Sequence, residues 1–310
     1  MPKVSVIVPA YKVEPFIGKC ARSLCAQTLE DIELVFVDDA SPDRSMDILS
    51  SVLEEYPQRA GQVRMLRMPF NSGLPAVRKA GFEASTGEYV IHCDSDDWLE
   101  ETLCARMWET ADTQGADVVV CDYFAEIGGE TVRKDACGDP DRDLIGRVLT
   151  GEVPGYTWNK LVRRSLFERV ACWPAANMWE DKVLALQHLY HSGKTVFLHE
   201  ALYHYRISGA GMCLGEQARS KVSQLQDNVS LILSFLEEKG LTSRYGREIS
   251  ALKAQVQMNA LPLPRREYRQ VYPENRWRQL GVPELPLPVR LGHLTKLLGI
   301  HGISKVFRRA

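Results

Sequence analysis

The sequence has no basic excess. Its 38 Lys and Arg residues stand against 40 Asp and Glu in 310 residues, a formal net charge of -2. Proteins that track a nucleic-acid backbone are usually strongly basic, so no nucleic-acid partner is expected. No run approaches the roughly 18 consecutive apolar residues that a membrane-spanning helix needs. The apolar run Val4 to Ala10 follows a single lysine, and no small-residue cleavage site comes after it. It reads as a buried strand rather than a leader. Eight cysteines are present, and no two have C-x-x-C spacing, so a zinc site is not expected. Thiols without a secretion signal suit a reducing cytosol. No Gly-x-Gly-x-x-Gly follows the first strand; Gly209, Gly211 and Gly215 have the wrong spacing and no βα unit before them. Walker A spacing is absent too, which argues against dinucleotide oxidoreductases and P-loop enzymes. No solenoid repeat is present.

What is present is ordinary globular composition, 45% apolar and 25% charged, which excludes a disordered chain. Apolar β-rich runs at Val4–Pro9, Ile32–Val37, Val63–Met68, Tyr89–Cys93 and Asp117–Tyr123 alternate with helical spacing at Val13–Gln27, Asp43–Tyr56, Leu74–Ala84 and Leu99–Gln114. Such alternation predicts βαβ units, a mainly parallel sheet and helices on both faces. Further along, Ile127–Asp143 reads as a polar surface loop or irregular hairpin. Leu144–Leu149, Leu161–Val170 and Val183–His191 read as helices, and Thr195–Leu198 and Ala201–Tyr205 as two late strands. Two long helices are expected over Glu216–Lys239 and Ser243–Ala260. Pro262–Pro288 holds six prolines and reads as an extended linker. The tail from Val289 to Ala310 has basic residues, no acid and leucines at helical spacing. That pattern suits a membrane surface, and equally a helix packed on its own domain or on a second subunit. The expected organisation is an α/β domain over 1–210, a helical extension over 211–261 and a linker with a basic amphipathic helix over 262–310.

Ligands of an open parallel sheet bind where the carboxyl ends of the strands meet their loops. Three polar clusters fall there: Pro9-Ala10-Tyr11, Asp38-Asp39-Ala40-Ser41 and Asp94-Ser95-Asp96-Asp97. Close-packed carboxylates repel unless a cation or strong donor joins them. Asp94 and Asp96 are spaced to meet one divalent cation, and hard oxygen ligands favour Mg²⁺ or Mn²⁺. Each aspartate also precedes a helix, so a helix cap is the alternative, above all for Asp43 and Asp97. Asp38 and Asp39 could accept from a planar ring N–H such as uracil N3–H, with Tyr11 stacked on the ring. Asp39 could instead hold a turn.

These residues resemble the family-2 inverting glycosyltransferases of the GT-A fold. The opening Val4-Ser5-Val6-Ile7-Val8-Pro9-Ala10-Tyr11 is similar to the family's first strand. The blocks Ser23-Leu24-Cys25-Ala26-Gln27-Thr28, Glu33 to Ser41 with Pro42-Asp43, Asn71-Ser72-Gly73-Leu74 and Gly87-Glu88-Tyr89 follow in its order. Trp158-Asn159-Lys160-Leu161, Glu180-Asp181 and Leu202-Tyr203-His204-Tyr205-Arg206 complete the resemblance over about residues 1–210. Val77-Arg78-Lys79 and Pro75 depart from the family's usual Ala-Arg-Asn and small residue.

The resemblance implies a GT-A, Rossmann-like mixed sheet flanked by helices. It carries nucleotide contacts onto Pro9, Ala10, Tyr11, Asp38, Asp39, Asn71 and Arg78, and nucleotide-sugar contacts onto Asp94, Ser95 and Asp96. It carries the metal, Mn²⁺ or Mg²⁺, onto Asp94 and Asp96, with His204 a candidate third ligand or a structural residue. Asp181, beside Glu180, would be the catalytic base. Arg206 would meet phosphate or a structural acid, Lys160 acceptor or phosphate. Trp158, Trp173 and Trp179 would line an acceptor cleft or belong to the core. The implied activity moves a hexose or N-acetylhexosamine from a UDP-sugar to a glycan, foremost a lipid-linked oligosaccharide. Its setting would be bacterial capsule, lipopolysaccharide or exopolysaccharide assembly. The enzyme would be cytoplasmic, at the inner face of the membrane through 289–310, and a homodimer is open. The alternatives are a non-catalytic nucleotide-sugar-binding scaffold and a nucleotidyltransferase of similar fold.

Overall fold

The computed structural model describes residues 1–136, 142–207, 218–275, 277–278 and 287–299. Strands β1 (Val4–Ala10), β2 (Ile32–Asp38), β3 (Val63–Arg67) and β4 (Tyr89–His92) alternate with helices α1 (Ile17–Cys25), α2 (Ser45–Glu54) and α3 (Leu74–Ala84). Then come β5 (Trp98–Leu99), α4 (Leu103–Gln114), β6 (Val118–Ile127), β7 (Glu130–Lys134), α5 (Leu144–Thr150), β8 (Lys160–Arg163) and α6 (Arg164–Phe167). The chain continues through α7 (Glu180–His191), β9 (Thr195–Ile207), α8 (Ala218–Glu238), α9 (Gly246–Asn259), α10 (Arg265–Tyr268) and α11 (Leu287–Leu298). The strands form one mixed sheet in the order β3-β2-β1-β4-β8-β6-β9-β5, with β7 on β6. The β3-β2-β1-β4 half is parallel, as is β6–β9; β8, β7 and β5 run antiparallel to their neighbours.

Every residue of β1 and β2 is buried, which is why these strands read as continuous apolar runs rather than alternating ones. Val4, Val6 and Val8 enter a core with α1, α2 and α4, while Ile7 enters another with α5, α7, α8 and α9. The later helices therefore share a core with the central strands. Helix α3 lies so close to the sheet that a Cβ on Gly81 would fall 2.4 Å from Cγ2 of Ile7. Replacing Gly81 by Ala forces backbone or strand to shift, an overpacking cost of about 1–3 kcal/mol that urea unfolding will read as a lower midpoint at unchanged slope.

Three expectations change. Leu161–Val170 is not one helix: residues 160–163 pair between β4 and β6, and only Arg164–Phe167 is helical. The late strands are one strand, because two register shifts against β6 near Asp122 absorb the break. The described part of Pro262–Pro288 is not an extended linker. It contains α10, and Leu263, Tyr268, Val271 and Asn275 are buried. Helix α11 docks on it. Arg265 and Arg269 each donate to the Leu297 carbonyl, at 2.7 and 2.6 Å, satisfying the helix C-terminus. Tyr268 Oη lies 2.6 Å from Nδ1 of the buried His293. Residues 289–299 of the basic tail thus pack on the protein, and 300–310 lie outside the described residues. Among the described residues no helix is long and apolar enough to cross a membrane.

Candidate active site

The site is built at the carboxyl ends of β1, β2 and β4. After β1, Tyr11 is 39% exposed and Lys12 turns the chain at φ 53°; after β2, Ala40 does so at φ 55°. Non-glycine residues seldom adopt this left-handed backbone unless the surroundings impose it. Here the Lys12 N–H donates to the Ser41 hydroxyl at 2.8 Å, and Ser41 is held in turn by Asp43. Asp43 accepts from the Ser41 and Ser45 hydroxyls at 2.7 and 2.6 Å and from the Glu14 N–H at 3.3 Å. Burial would raise its carboxyl, but these donors hold it down at about 2. Asp43 therefore knots the two turns together.

Asp38 accepts the Ser41 N–H at 2.7 Å and pairs with Arg67 at 3.4 Å. Asp39 accepts the N–H groups of Ser72 and Gly73 at 2.6 and 3.0 Å, one on each oxygen. It fixes the loop that carries Asn71. Gly73, at φ 83°, also leaves room for Asn177, whose Oδ1 accepts the Leu74 N–H at 3.1 Å. Neither Arg67 nor Asn177 stands out in the sequence: each meets its partner only through the fold.

The acidic turn after β4 divides its carboxylates between two tasks. Asp97 is buried, accepting from Tyr203 Oη and the Arg206 N–H, both at 2.7 Å. Tyr203 Oη in turn accepts the Asp94 N–H at 3.0 Å. Asp97 is thus a structural tie between the turn and β9. Asp94 and Asp96 keep partly exposed carboxylates. Burial, then the neighbouring Asp94 charge, pushes Asp96 up to about 6. Two carboxylates disfavouring each other's charge are a fit for a shared cation.

His204 is not brought to them. Its Nδ1 and Nε2 lie 2.7 and 2.8 Å from the carboxylates of Glu126 and Glu100, and its ring stacks between Trp98 and Phe124. It follows Tyr203 on the strand and so points to the opposite face. The candidate third metal ligand is corrected to a structural clamp. Among the described residues, the one trio of His, Cys, Asp or Glu whose ligand atoms converge is Asp122, Asp135 and His199, none of it in the acidic turn. Arg133 already pairs with Asp122 at 3.1 Å.

Arg78 lies beneath the site, 2% exposed. One terminal nitrogen donates to Glu180 and the other to Asp94, at 2.6 Å for the latter. Both are spent on protein, so Arg78 holds these acids and does not itself present a free fork to a nucleotide. Trp179, at φ 63°, bends the chain into α7, whose first residues are Glu180 and the partly exposed Asp181. Burial pushes Glu180 up, opposed by Arg78 and reinforced by Asp181 and Asp94. Burial likewise raises Asp181 against the pull of Arg78.

The remaining expected residues make the following contacts. Lys160 spends Nζ on the carbonyls of Pro154 and Tyr156 and on Asn159 Oδ1, at 3.0, 2.7 and 2.9 Å. Trp158 is buried in a stack with Tyr156 and Tyr203. Trp173 donates to the Pro75 carbonyl at 2.9 Å. Arg206 lies over the Phe16 ring, 3.7 Å from its centre.

Known proteins share this chain's sequence pattern and fold. EpsH of Bacillus subtilis is 32% identical over 261 residues, covering 80% of this chain and 73% of EpsH. The fold matches S. aureus TarS 1-349 in complex with UDP-GlcNAc, with TM-score 0.65, 19% identity and coverage of 94% of this chain and 81% of that one. It also matches the mannosyltransferase PcManGT from Pyrobaculum calidifontis in complex with GDP-Man and Mn²⁺, with TM-score 0.60, 15% identity and coverage of 98% and 78%. A family model described as Glycosyl transferase family 2 matches residues 5–171, and the chain belongs to that family.

Proposed function

We propose that this protein transfers a hexose or N-acetylhexosamine from a UDP-sugar to a glycan in bacterial surface polysaccharide assembly, inverting the anomeric carbon. The observation that carries the reading is the Arg78 bridge. It joins Asp94, in the acidic turn at the nucleotide end of the sheet, to Glu180, next to Asp181. A donor-binding carboxylate and the immediate neighbour of the proton-accepting one are thereby tied to a single buried group.

Tyr11 would stack on the base, with Pro9 and Ala10 forming the floor. Asp39, flanked by Asp38, would accept a ring N–H on a remaining lone pair, with Asn71 on the loop it orders. Asp94 and Asp96, with Ser95 between them, would hold Mn²⁺ or Mg²⁺, which offsets negative charge on the departing diphosphate. Asp181 takes the proton of the acceptor hydroxyl as that oxygen attacks from the face opposite the diphosphate. Charge builds on the sugar as in glycoside hydrolysis. The TarS complex with UDP-GlcNAc supports a UDP-sugar; the PcManGT complex with GDP-Man makes GDP the rival donor nucleotide. A lipid-linked oligosaccharide at the inner membrane face fits a protein whose α11 leaves Leu291 and Leu298 exposed beside a basic tail.

Thermal unfolding with UDP, GDP, CMP, ADP and dTDP, each with Mn²⁺, Mg²⁺ or EDTA, tests the donor site, because a ligand of the native state raises the midpoint. The expected result is a UDP shift that requires the metal, about 2.7 kcal/mol of stabilisation at a hundredfold excess over Kd. A shift with GDP alone would overturn the donor. No shift with any nucleotide, joined to no turnover of UDP-sugar, would favour a scaffold.

A further inference from the structure

Strands β6 and β7 form a hairpin closed by Gly128 and Gly129, at φ 58° and 92°, with Ile127 opposite Glu130. Positive φ at both positions is the type I′ turn of a two-residue hairpin. In such a hairpin the pair flanking the turn exchanges both backbone hydrogen bonds, and bonded and non-bonded pairs then alternate. Glu130, Val132 and Lys134 therefore spend their N–H and C=O groups on β6. Thr131 and Arg133 aim theirs away from it. All five residues are exposed, and among the described residues β7 pairs with β6 alone. The outward groups form an edge open to another strand.

The edge is complementary to itself. Reversed against a second copy about Val132, Glu130-Thr131-Val132-Arg133-Lys134 sets Thr131 opposite Arg133 on both sides. Those are the residues whose backbone groups point outward, so each copy donates twice and accepts twice. In the same register Glu130 faces Lys134 at both ends, and Val132 faces Val132. Glu130 and Lys134 are both exposed. Glu130 and Val132 share a sheet face with Ile127, and Ile207 lies beside Ile127 in register; Ile127, Val132 and Ile207 are 43, 37 and 41% exposed. Backbone polarity, charge and apolar exposure all select the same register.

We propose that two copies of this chain associate through β7, edge to edge and antiparallel about a two-fold axis at Val132, continuing the sheet from one molecule into the next. An isologous contact of this kind closes as a dimer, because it uses the β7 edge of both copies. A five-residue edge is smaller than the standard stable interface, so the dimer is concentration-dependent. The association does not depend on the sugar-transfer reading.

Sedimentation equilibrium of the full chain over a concentration series tests it. The expected result is a mass rising from one to two chains. Glu130→Lys or Lys134→Glu alone sets like charges opposite each other and weakens the dimer by about tenfold or more. The double substitution restores the complementary pattern and the affinity. Val132→Cys gives a covalent dimer under mild oxidation, where the wild type and Ile127→Cys do not. A mass of one chain at every concentration overturns the proposal. So does a dimer that neither charge substitution weakens, or one that the double substitution fails to restore. Circular dichroism of each variant separates loss of association from loss of fold.

Discussion

On the proposed mechanism, Asp181→Asn is expected to lower sugar transfer at least about a hundredfold and to leave nucleotide binding intact. The side chain keeps its size and its place at the start of α7, so little else changes. What is lost is the ability to accept a proton from the acceptor hydroxyl as it attacks. General-base catalysis of this kind contributes about 10²–10⁴ in rate, so kcat falls by at least about a hundredfold. The UDP-induced thermal shift is unchanged, because Asp181 is on the acceptor side of the Arg78 bridge. Burial raises the Asp181 carboxyl, against the lowering pull of Arg78 and of the Lys182 backbone and side chain. A base works only when deprotonated, so activity rises with pH through that raised value and is lost as pH falls below it. The acid limb of kcat therefore lies above the ordinary aspartate range. A variant with wild-type turnover, or one that loses UDP binding in parallel, removes Asp181 from the role of base.

Arg78→Met has the second large effect, and it falls on stability and activity together. The guanidinium is 2% exposed and sits between Glu180, also buried, and Asp94. Removing one partner of a buried ion pair strands the other, which costs about 3–5 kcal/mol. Glu180 is already pushed up by burial, so it takes a proton when Arg78 is gone, which trims the cost. Adding Glu180→Gln to Arg78→Met removes the stranded acid and recovers part of the stability. Asp94 loses its tether in both variants, so donor affinity falls in both. Urea unfolding of the two variants reads the first effect, and the UDP shift reads the second. If Arg78→Met unfolds at the wild-type urea concentration, the bridge is not holding these acids.

Much of this was legible in the sequence, for a physical reason in each case. Strands β1, β2 and β4 are buried on both faces, so their apolar runs stand out, and all three fall within one residue of their expected ends. Helix α3 runs over Leu74–Ala84, as expected, with Gly73 before it and Pro75 in its first turn. Where two conformations compete locally, sequence misled. Residues 160–163 have helical spacing, yet β4 and β6 offer a strand on each side, and that pairing wins. The proline-rich segment lacks a long apolar run, yet Leu263, Tyr268 and Val271 reach a core made by distant helices.

The site divides the same way. By itself the sequence determined that carboxylates cluster at the ends of β2 and β4, beside Pro9-Ala10-Tyr11 at the end of β1, because that placement follows from strand order and chain direction alone. It also placed Glu180 and Asp181 just ahead of a helix expected from Val183, which the structure begins at Glu180. Only the tertiary structure decided which of these acids keep a partly exposed carboxylate. Asp43 and Asp97 look like their neighbours in sequence, yet their oxygens are consumed by hydroxyls and amides from other segments. Asp94, Asp96 and Asp181 stay partly exposed. Arg78 meets Glu180 across 102 residues, and His204 meets Glu100 across 104. A carboxylate's chemistry depends on its nearest donors, charges and solvent, and those neighbours exist only once the chain has folded.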